Sequence, residues 1–347
     1  MKPAIISRTL DQIGAPDIKG EAFLQKGIEK KMKKIALLFL AYLFLFAELT
    51  QAQPVRIAYL QSDIHQLPCW VALEKGFFEK EGVKVEVAGI FKAGPELMSA
   101  FAAGALDMGY VGVAPATTAV ANKTVKVVVL AQVNTEGSAI VVRKEGKVQS
   151  IPELVDKSAA VPGHATVQDS LLRRALLKFK TQPDQVKIMV LKPPEMIGAL
   201  RTDQIDAFIA WEPYPAKAVT MGVGRILAFS RDIWKDHPCC VLAADAKFLE
   251  DHMEKAKGVV RGHVKAIEFI GQHREEAVKI GVKYTGMDEA SIRLAMENVN
   301  YTPILSVEGE KEYVDFLTKL KYIKVDDVQI FVDRFMRPDF IKEMIKR

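Results

Sequence analysis

The sequence predicts an α/β fold in two similar lobes, and an internal repeat is the first observation that predicts it. Gly94 to Pro115, GPELMSAFAAGALDMGYVGVAP, returns as Pro194 to Pro213, PEMIGALRTDQIDAFIAWEP, at a constant offset of 99 residues and without a gap. Pro95 falls on Pro194, Glu96 on Glu195, Ala100 on Ala199 and Asp107 on Asp206. The second observation is periodicity. Leu97, Met98, Phe101 and Leu106 answer Met196, Ile197, Leu200 and Ile205 at helical spacing, and a strand-like apolar run follows each Asp. Each copy therefore reads helix, tight turn, strand. The third is composition: 49% hydrophobic and 26% charged residues belong to a compact soluble chain with a sizeable core.

Within each copy, Pro95 and Pro194 suit a first helical turn, where a missing N–H costs nothing, and the neighbouring Glu favours the positive end of the helix dipole. Asp107 and Asp206 stand where the chain leaves the helix for Met108 to Val111 or Ala207 to Ala210. A short polar side chain there satisfies backbone groups, so a local role is expected. In open parallel sheets ligands collect beyond the carboxyl ends of strands. Gly112 to Ala116 and Trp211 to Tyr214 thus become the first candidates for a shared site.

The beginning of the chain has a separate logic. Met32 opens Lys33-Lys34, an uncharged run of 13 residues from Ile35 to Ala47, and Glu48-Leu-Thr-Gln-Ala52. That pattern predicts a secretory signal peptide over 32–52, with cleavage near Gln53; the run is short for the roughly 20 residues that cross a bilayer. A retained anchor is the alternative. Residues 1–31 are read as a start codon placed too far upstream. With the leader removed, 295 residues remain, enough for two lobes, and no membrane span is expected among them. The net charge of +5 includes the leader's lysines, and no basic run with interleaved aromatics follows, so no nucleic-acid partner is expected.

Val55 to Leu60 is a β-branched and aromatic run suited to a strand, followed by the loop Gln61 to Gln66 and a helix from Leu67 to Gly76. Phe77 to Gly82 reads as a turn. Strands are expected at Val83 to Val87, at Met108 and at Val125 to Ala131, with a helix through Ala116 to Asn122 between the last two. Gln132 to Ser138 reads as a polar loop before a strand at Ala139 to Arg143, the first crossing between lobes. Ile151 to Lys157 is expected to be a short helix, Ala159 to Val161 a strand, and Val167 to Lys178 a helix. Val186 to Leu191 and Arg225 to Ser230 complete the second lobe's strands, with a helix at Pro215 to Met221, and Cys239 to Ala243 crosses back. The predicted lobes are 53–138 with 241–347, and 139–240. From Ala246 onward the chain is helical, and Val259, Val260, Val264, Ile267, Phe269 and Ile270 form an apolar stripe fit to cover the first sheet.

Taken in order, VRIAYL, EKGFFEKEGVKVEV, ALDMGYVGVAPA, IPELVDKSAAVPG, QIDAFIAWEPYPAKA and DIWKDHPCCVLAA resemble the substrate-binding proteins of nitrate/sulfonate/taurine-type ABC importers across nearly the whole mature chain. The resemblance implies a type II periplasmic binding protein: two lobes, two hinge crossings, and a small molecule held between them. It implies an ABC permease and an ATPase as partners and binding without catalysis; the leader at 32–52 implies a periplasmic address, and no cofactor and a monomer are expected. Thiamine-pyrimidine synthases of the yeast type share the architecture and supply the enzyme alternative. A ligand-binding input to a sensor is a third possibility.

The loops beyond strand ends nominate Asp63, His65, Gln66, Pro115, Thr117, Glu136, Ser138, His164, Thr166, Trp211, Glu212 and His237 as ligand-binding residues. Asp63 also suits a cap for the helix near Leu67. Trp211 offers an aromatic wall with one N–H donor. No Lys or Arg is among the candidates, whereas three carboxylates are, so the expected ligand carries an amine, with Glu212 as its partner. His65, His164 and His237 lie on separate loops without the spacing that places two ligands on one helix, and no metal is expected. No GxSxG elbow occurs, and Cys69, Cys239 and Cys240 have no His partner by motif. A bridge from Cys69 to one of the other two remains open, as does a set of buried thiols.

Overall fold

The computed structural model describes residues 30–35, 37 and 53–345. Residues 1–53 and 54–347 are separate units. The predicted leader and cleavage point lie almost wholly outside the described residues; 30–35 and 37 are helical and exposed. No helix among the described residues is long and apolar enough to cross a membrane.

From residue 54 onward the chain builds two sheets. Strands β1 (Val55–Leu60), β2 (Val85–Phe91), β3 (Met108–Gly112) and β4 (Val127–Glu136) come first. Then follow β5 (Ser138–Arg143), β6 (Ser158–Val161), β7 (Lys187–Val190), β8 (Ala207–Trp211) and β9 (Gly224–Phe229), and finally β10 (Pro238–Asp245) and β11 (Val299–Tyr301). The six-stranded sheet has the order β11-β4-β10-β3-β1-β2, and the five-stranded sheet β7-β6-β8-β5-β9. β1 pairs in parallel with β2 and β3, and β6 with β7 and β8, while β10 and β5 run antiparallel to their neighbours.

Both repeat copies form the predicted unit. The helix Gly94–Ala102 leads to β3 and the helix Pro193–Arg201 to β8, each with Pro in its first turn. Each Asp satisfies backbone groups as expected, but those groups belong to the neighbouring strand, 51 and 48 residues away, rather than to its own turn. Asp107 Oδ2 accepts the Arg56 N–H at 2.8 Å while the Asp107 N–H donates to Arg56 O at 2.9 Å. Asp206 Oδ2 accepts the Ser158 N–H at 2.9 Å and its own N–H donates to Ser158 O at 3.0 Å. Both residues tie the start of one parallel strand to the start of its neighbour, at the end away from the strands' carboxyl termini.

The largest departure from the sequence reading is β4. Gln132 to Glu136, read as loop because it is polar, continues the strand, and Gln132 and Asn134 are buried. Their amides are satisfied inside: Gln132 Nε2 donates to Asn134 O and Cys240 O, each at 2.9 Å, and Asn134 Oδ1 accepts the Cys240 N–H at 3.2 Å. A buried amide costs little when its hydrogen bonds are made. Phe77–Lys80 is a short helix rather than a turn, and β2 begins two residues later than read.

The later helices divide their work. Met253–Gln272 buries Val259, Val260, Val264 and Ile270 and, with Arg274–Thr285, packs on the helix Leu67–Glu74 of the six-stranded half. Ile267 and Phe269 are only partly covered. Glu289–Met296 instead packs on Tyr214–Thr220 of the five-stranded half, where Lys217 Nζ lies 2.7 Å from Asp288 Oδ2.

Candidate functional site

The carboxyl ends of β1, β3, β6 and β8 converge, as the rule for open sheets requires. Beyond β1 the chain turns through Asp63 into a short 3-10 helix, Ile64–Gln66; beyond β3 it enters the helix Val113–Ala121 through Gly112; beyond β6 it reaches the helix Val167–Lys178 through Thr166. Trp211 ends β8, and β10, antiparallel to β3, brings Cys239 and Cys240 to the same place. Between them lies a cavity of about 10 Å³, lined by Leu60, Asp63, His65, Gly94, Gly112, Pro115, Thr166, Val167, Gln168, Trp211, Cys239 and Cys240. It has space for about one water molecule.

Two helices of eight residues or more begin at this cavity from opposite halves, so the first-turn N–H groups that remain, with the Asp169 N–H capped and Pro115 lacking one, make it a place for acceptor atoms. Thr166 caps the second: its Oγ1 accepts the Asp169 N–H at 3.2 Å and donates to Gly163 O at 2.8 Å. Trp211 Nε1 is buried without a hydrogen-bond partner. Gly94 is obligatory here, because a Cβ on it would lie 2.5 Å from Pro115 Cγ. Lys192 Nζ meets Glu96 Oε1 at 2.6 Å, joining the starts of the two repeat copies.

One wall is ionic. Asp63 Oδ1 accepts the His65 N–H at 3.0 Å and stands 3.4 Å from His65 Nδ1, while Asp63 Oδ2 accepts from Gln66 Nε2 at 2.8 Å. Burial pushes the Asp63 carboxyl up to about 6. Burial alone would lower His65, but Asp63 and Cys239 outweigh it and raise the imidazole to about 9. The Cys239 thiol is raised by burial yet brought down overall by the Cys240 hydrogen bond and by His65. His65 Nε2 lies 2.8 Å from Gly137 O. Gly137 has φ +85° and a Cβ there would collide with His65 Nε2, so only glycine permits this approach.

Of the twelve residues expected from sequence, Asp63, His65, Pro115, Thr166 and Trp211 line the cavity, and Gln66 supports it from behind. The others serve elsewhere. Thr117 Oγ1 is 2.9 Å from Val113 O and 2.5 Å from Glu310 Oε1, pinning two helices together. Glu136 Oε1 accepts the Asp236 N–H at 3.0 Å, and Ser138 Oγ accepts from Gln168 Nε2 at 3.0 Å. His164 is exposed on a separate groove beside Pro95 and Ser99. His237 is buried, with Nδ1 3.2 Å from Pro238 O, and burial lowers its pKa.

Glu212 needs the plainest correction. Its Oε2 accepts the Ala216 N–H at 3.0 Å and its Oε1 accepts from Asn298 Nδ2 at 2.9 Å, so the carboxyl pins the turn after β8 and does not line the cavity. Burial raises it to about 7. Sequence reasoning passed over Gln168, and it left Cys239 and Cys240 without a partner because His65 is 174 residues from Cys239. All three cysteines are free, Cys69 among them.

The family model described as "NMT1-like family" matches residues 50–282. The chain belongs to the NMT1-like family. A relative from Bacillus subtilis, provisionally named an aliphatic sulfonates-binding protein, is 28% identical over 91% of this chain and 98% of its own length. The taurine-binding periplasmic protein of Escherichia coli is 30% identical over 65% of this chain and 69% of its own. Among solved structures, the periplasmic nitrate-binding protein NrtA of Synechocystis superposes with a TM-score of 0.74 at 18% identity, covering 84% of this chain and 88% of that one. The NMT1-like chain thus has the periplasmic binding protein fold.

Proposed function

We propose that this NMT1-like protein is the exported solute-binding component of an ABC import system, which holds a small polar molecule between its two sheets and passes it to a membrane permease driven by an ATPase. The observation that carries this reading is the convergence of four strand ends and two helix starts, from both halves, on one buried cavity. Relatives named for sulfonates and taurine support the solute class. The two lobes are 53–138 with 241–347, and 139–240; they separate at Glu136–Gly137, both of positive φ, and at the segment before β10. Opening is required, because the cavity as it stands is far smaller than a sulfonate.

With Glu212 engaged in its turn, the expected preference for an amine loses its partner. The donors that remain, two helix starts and Trp211 Nε1, favour an acceptor-rich head group such as a sulfonate or nitrate. The leader read over 32–52 supports a periplasmic address. Calorimetry and thermal shift with sulfonates, taurine, nitrate and aminopyrimidines test the proposal: one compound binds saturably at one site, raises the melting temperature with its concentration, and is recovered unchanged. Turnover of any of them, with no binder among the rest, overturns it in favour of the enzyme alternative.

A further inference from the structure

In a regular strand, consecutive side chains point to opposite faces. Cys239 and Cys240 do not. Their sulfurs lie 3.5 and 3.7 Å from one atom, His65 Nδ1. A bulge explains it: from Pro238 to Cys240 β10 advances two residues while β4 moves only from Thr135 to Asn134, and the register shifts again after Cys240. Bulges re-aim side chains in this way beside functional sites. Asn134 and Gln132, the polar residues buried in β4, hold the bulge through the N–H and C=O of Cys240.

His65 Nε2 is turned to a carbonyl oxygen, so Nε2 carries hydrogen and Nδ1 faces the sulfurs. The two sulfurs and Nδ1 lie within 4.8 Å of one another, all on buried residues. A tetrahedral ion with bonds of about 2.3 Å to sulfur and about 2.0 Å to nitrogen holds N and S about 3.5 Å apart. The two separations found here fit that figure.

We infer that His65, Cys239 and Cys240 form a binding site for one thiophilic d10 cation, Zn(II) or Cu(I). Two thiolates and an imidazole are the donors such ions prefer. Gln66 Nε2 reaches Cys240 Sγ at 3.5 Å and Asp63 at 2.8 Å, and Gly137 O fixes the ring, so the outer partners that orient a metal ligand are in place. All three side chains line the cavity, whose volume suits one small ligand atom, and Asp63 Oδ1 stands 3.4 Å from the same Nδ1. Binding releases the protons held by the two sulfurs and Nδ1. The site rests on three side chains and stands whether or not the chain serves import.

The test uses the full chain, reduced and stripped of metal without oxygen, and titrated with Co(II), Zn(II) and Cu(I) against chromophoric chelators. One equivalent is expected, with thiolate-to-metal charge-transfer bands for Co(II) that Zn(II) abolishes. Cys239→Ser, Cys240→Ser and His65→Gln each weaken Zn(II) binding by at least about 100-fold, while Cys69→Ser leaves it unchanged. X-ray absorption on the wild-type zinc complex guards against a misfolded variant and should find two sulfurs and a nitrogen around the ion. A folded wild type that retains no ion, a coordination shell without sulfur, or unchanged affinity in Cys239→Ser overturns the inference.

Discussion

The two repeat copies begin alike and end differently. At their helix-to-strand junctions, Asp107 and Asp206 perform the same pair of hydrogen bonds to the neighbouring strand. At their ends, β3 finishes in Gly112 and passes directly into a helix, whereas β8 finishes in Trp211 and then Glu212, Pro213 and Tyr214. One copy gives the cavity backbone and space; the other gives an aromatic wall and a buried carboxyl. The repeated part builds the scaffold, and the unrepeated part makes the site.

Removing the wall is the strongest way to break that contrast. Trp211 is 3% exposed, so Trp211→Ala should cost about 3 to 5 kcal/mol in urea unfolding. Gly112→Ala adds a methyl 3.3 Å from Val167 Cγ2 and should cost about 1 to 3 kcal/mol. If the two losses are equal, the ends are not specialised as argued.

The shared junction is tested by Asp107→Ala and Asp206→Ala. Each leaves a strand N–H without its charged acceptor, so each should cost about 1.5 to 3 kcal/mol. The exposed guanidinium of Arg56 adds little to the first, because an ion pair in solvent contributes about 0 to 1 kcal/mol. A large inequality between the two would mean that the repeat is one of pattern only.

A smaller effect separates the ends by pH. Glu212 has a folded pKa of about 7, above its ordinary value through burial, so the folded chain binds the extra proton between roughly pH 4.5 and 7 and stability falls as pH rises through that window. Glu310, raised to about 8 by burial, extends the decline. Val113, the counterpart of Glu212 at the repeat offset, has nothing to titrate. Melting temperatures of Glu212→Gln should therefore decline less steeply from pH 5 to 7 than those of the wild type. An unchanged slope would show that the carboxyl is ionised throughout.

The smallest expected change is Lys192→Ala, which cuts the ion pair to Glu96 between the copies. With side chains 29% and 41% exposed, the loss should be at most about 1 kcal/mol and should shrink in high salt. A salt-independent loss of several kcal/mol would mark the pair as part of the closed interface.

Much of this was legible before folding. Helix periodicity, Pro in first turns and β-branched runs are local, so the repeat and the strand ends could be read from neighbouring positions, whereas the partners of Asp107 and Asp206 lie about 50 residues away on adjacent strands. The sites of Asp63, Thr166 and Trp211 followed, since strand ends converge by rule. What the sequence could not rank was which polar side chain would be used up by its own turn. Glu212 and Thr117 looked available because their partners, Asn298 and Glu310, come from the far end of the chain.

The sequence by itself thus determined the α/β units, their order and the loops among which a site would form, because those depend on contacts a few residues long. Tertiary structure alone decided that β4 continues through buried Gln132 and Asn134, that their amides hold a bulge in β10, and that the bulge turns Cys239 and Cys240 toward His65. Those outcomes depend on strand register, which pairs residues more than a hundred positions apart and is set only when the sheet forms.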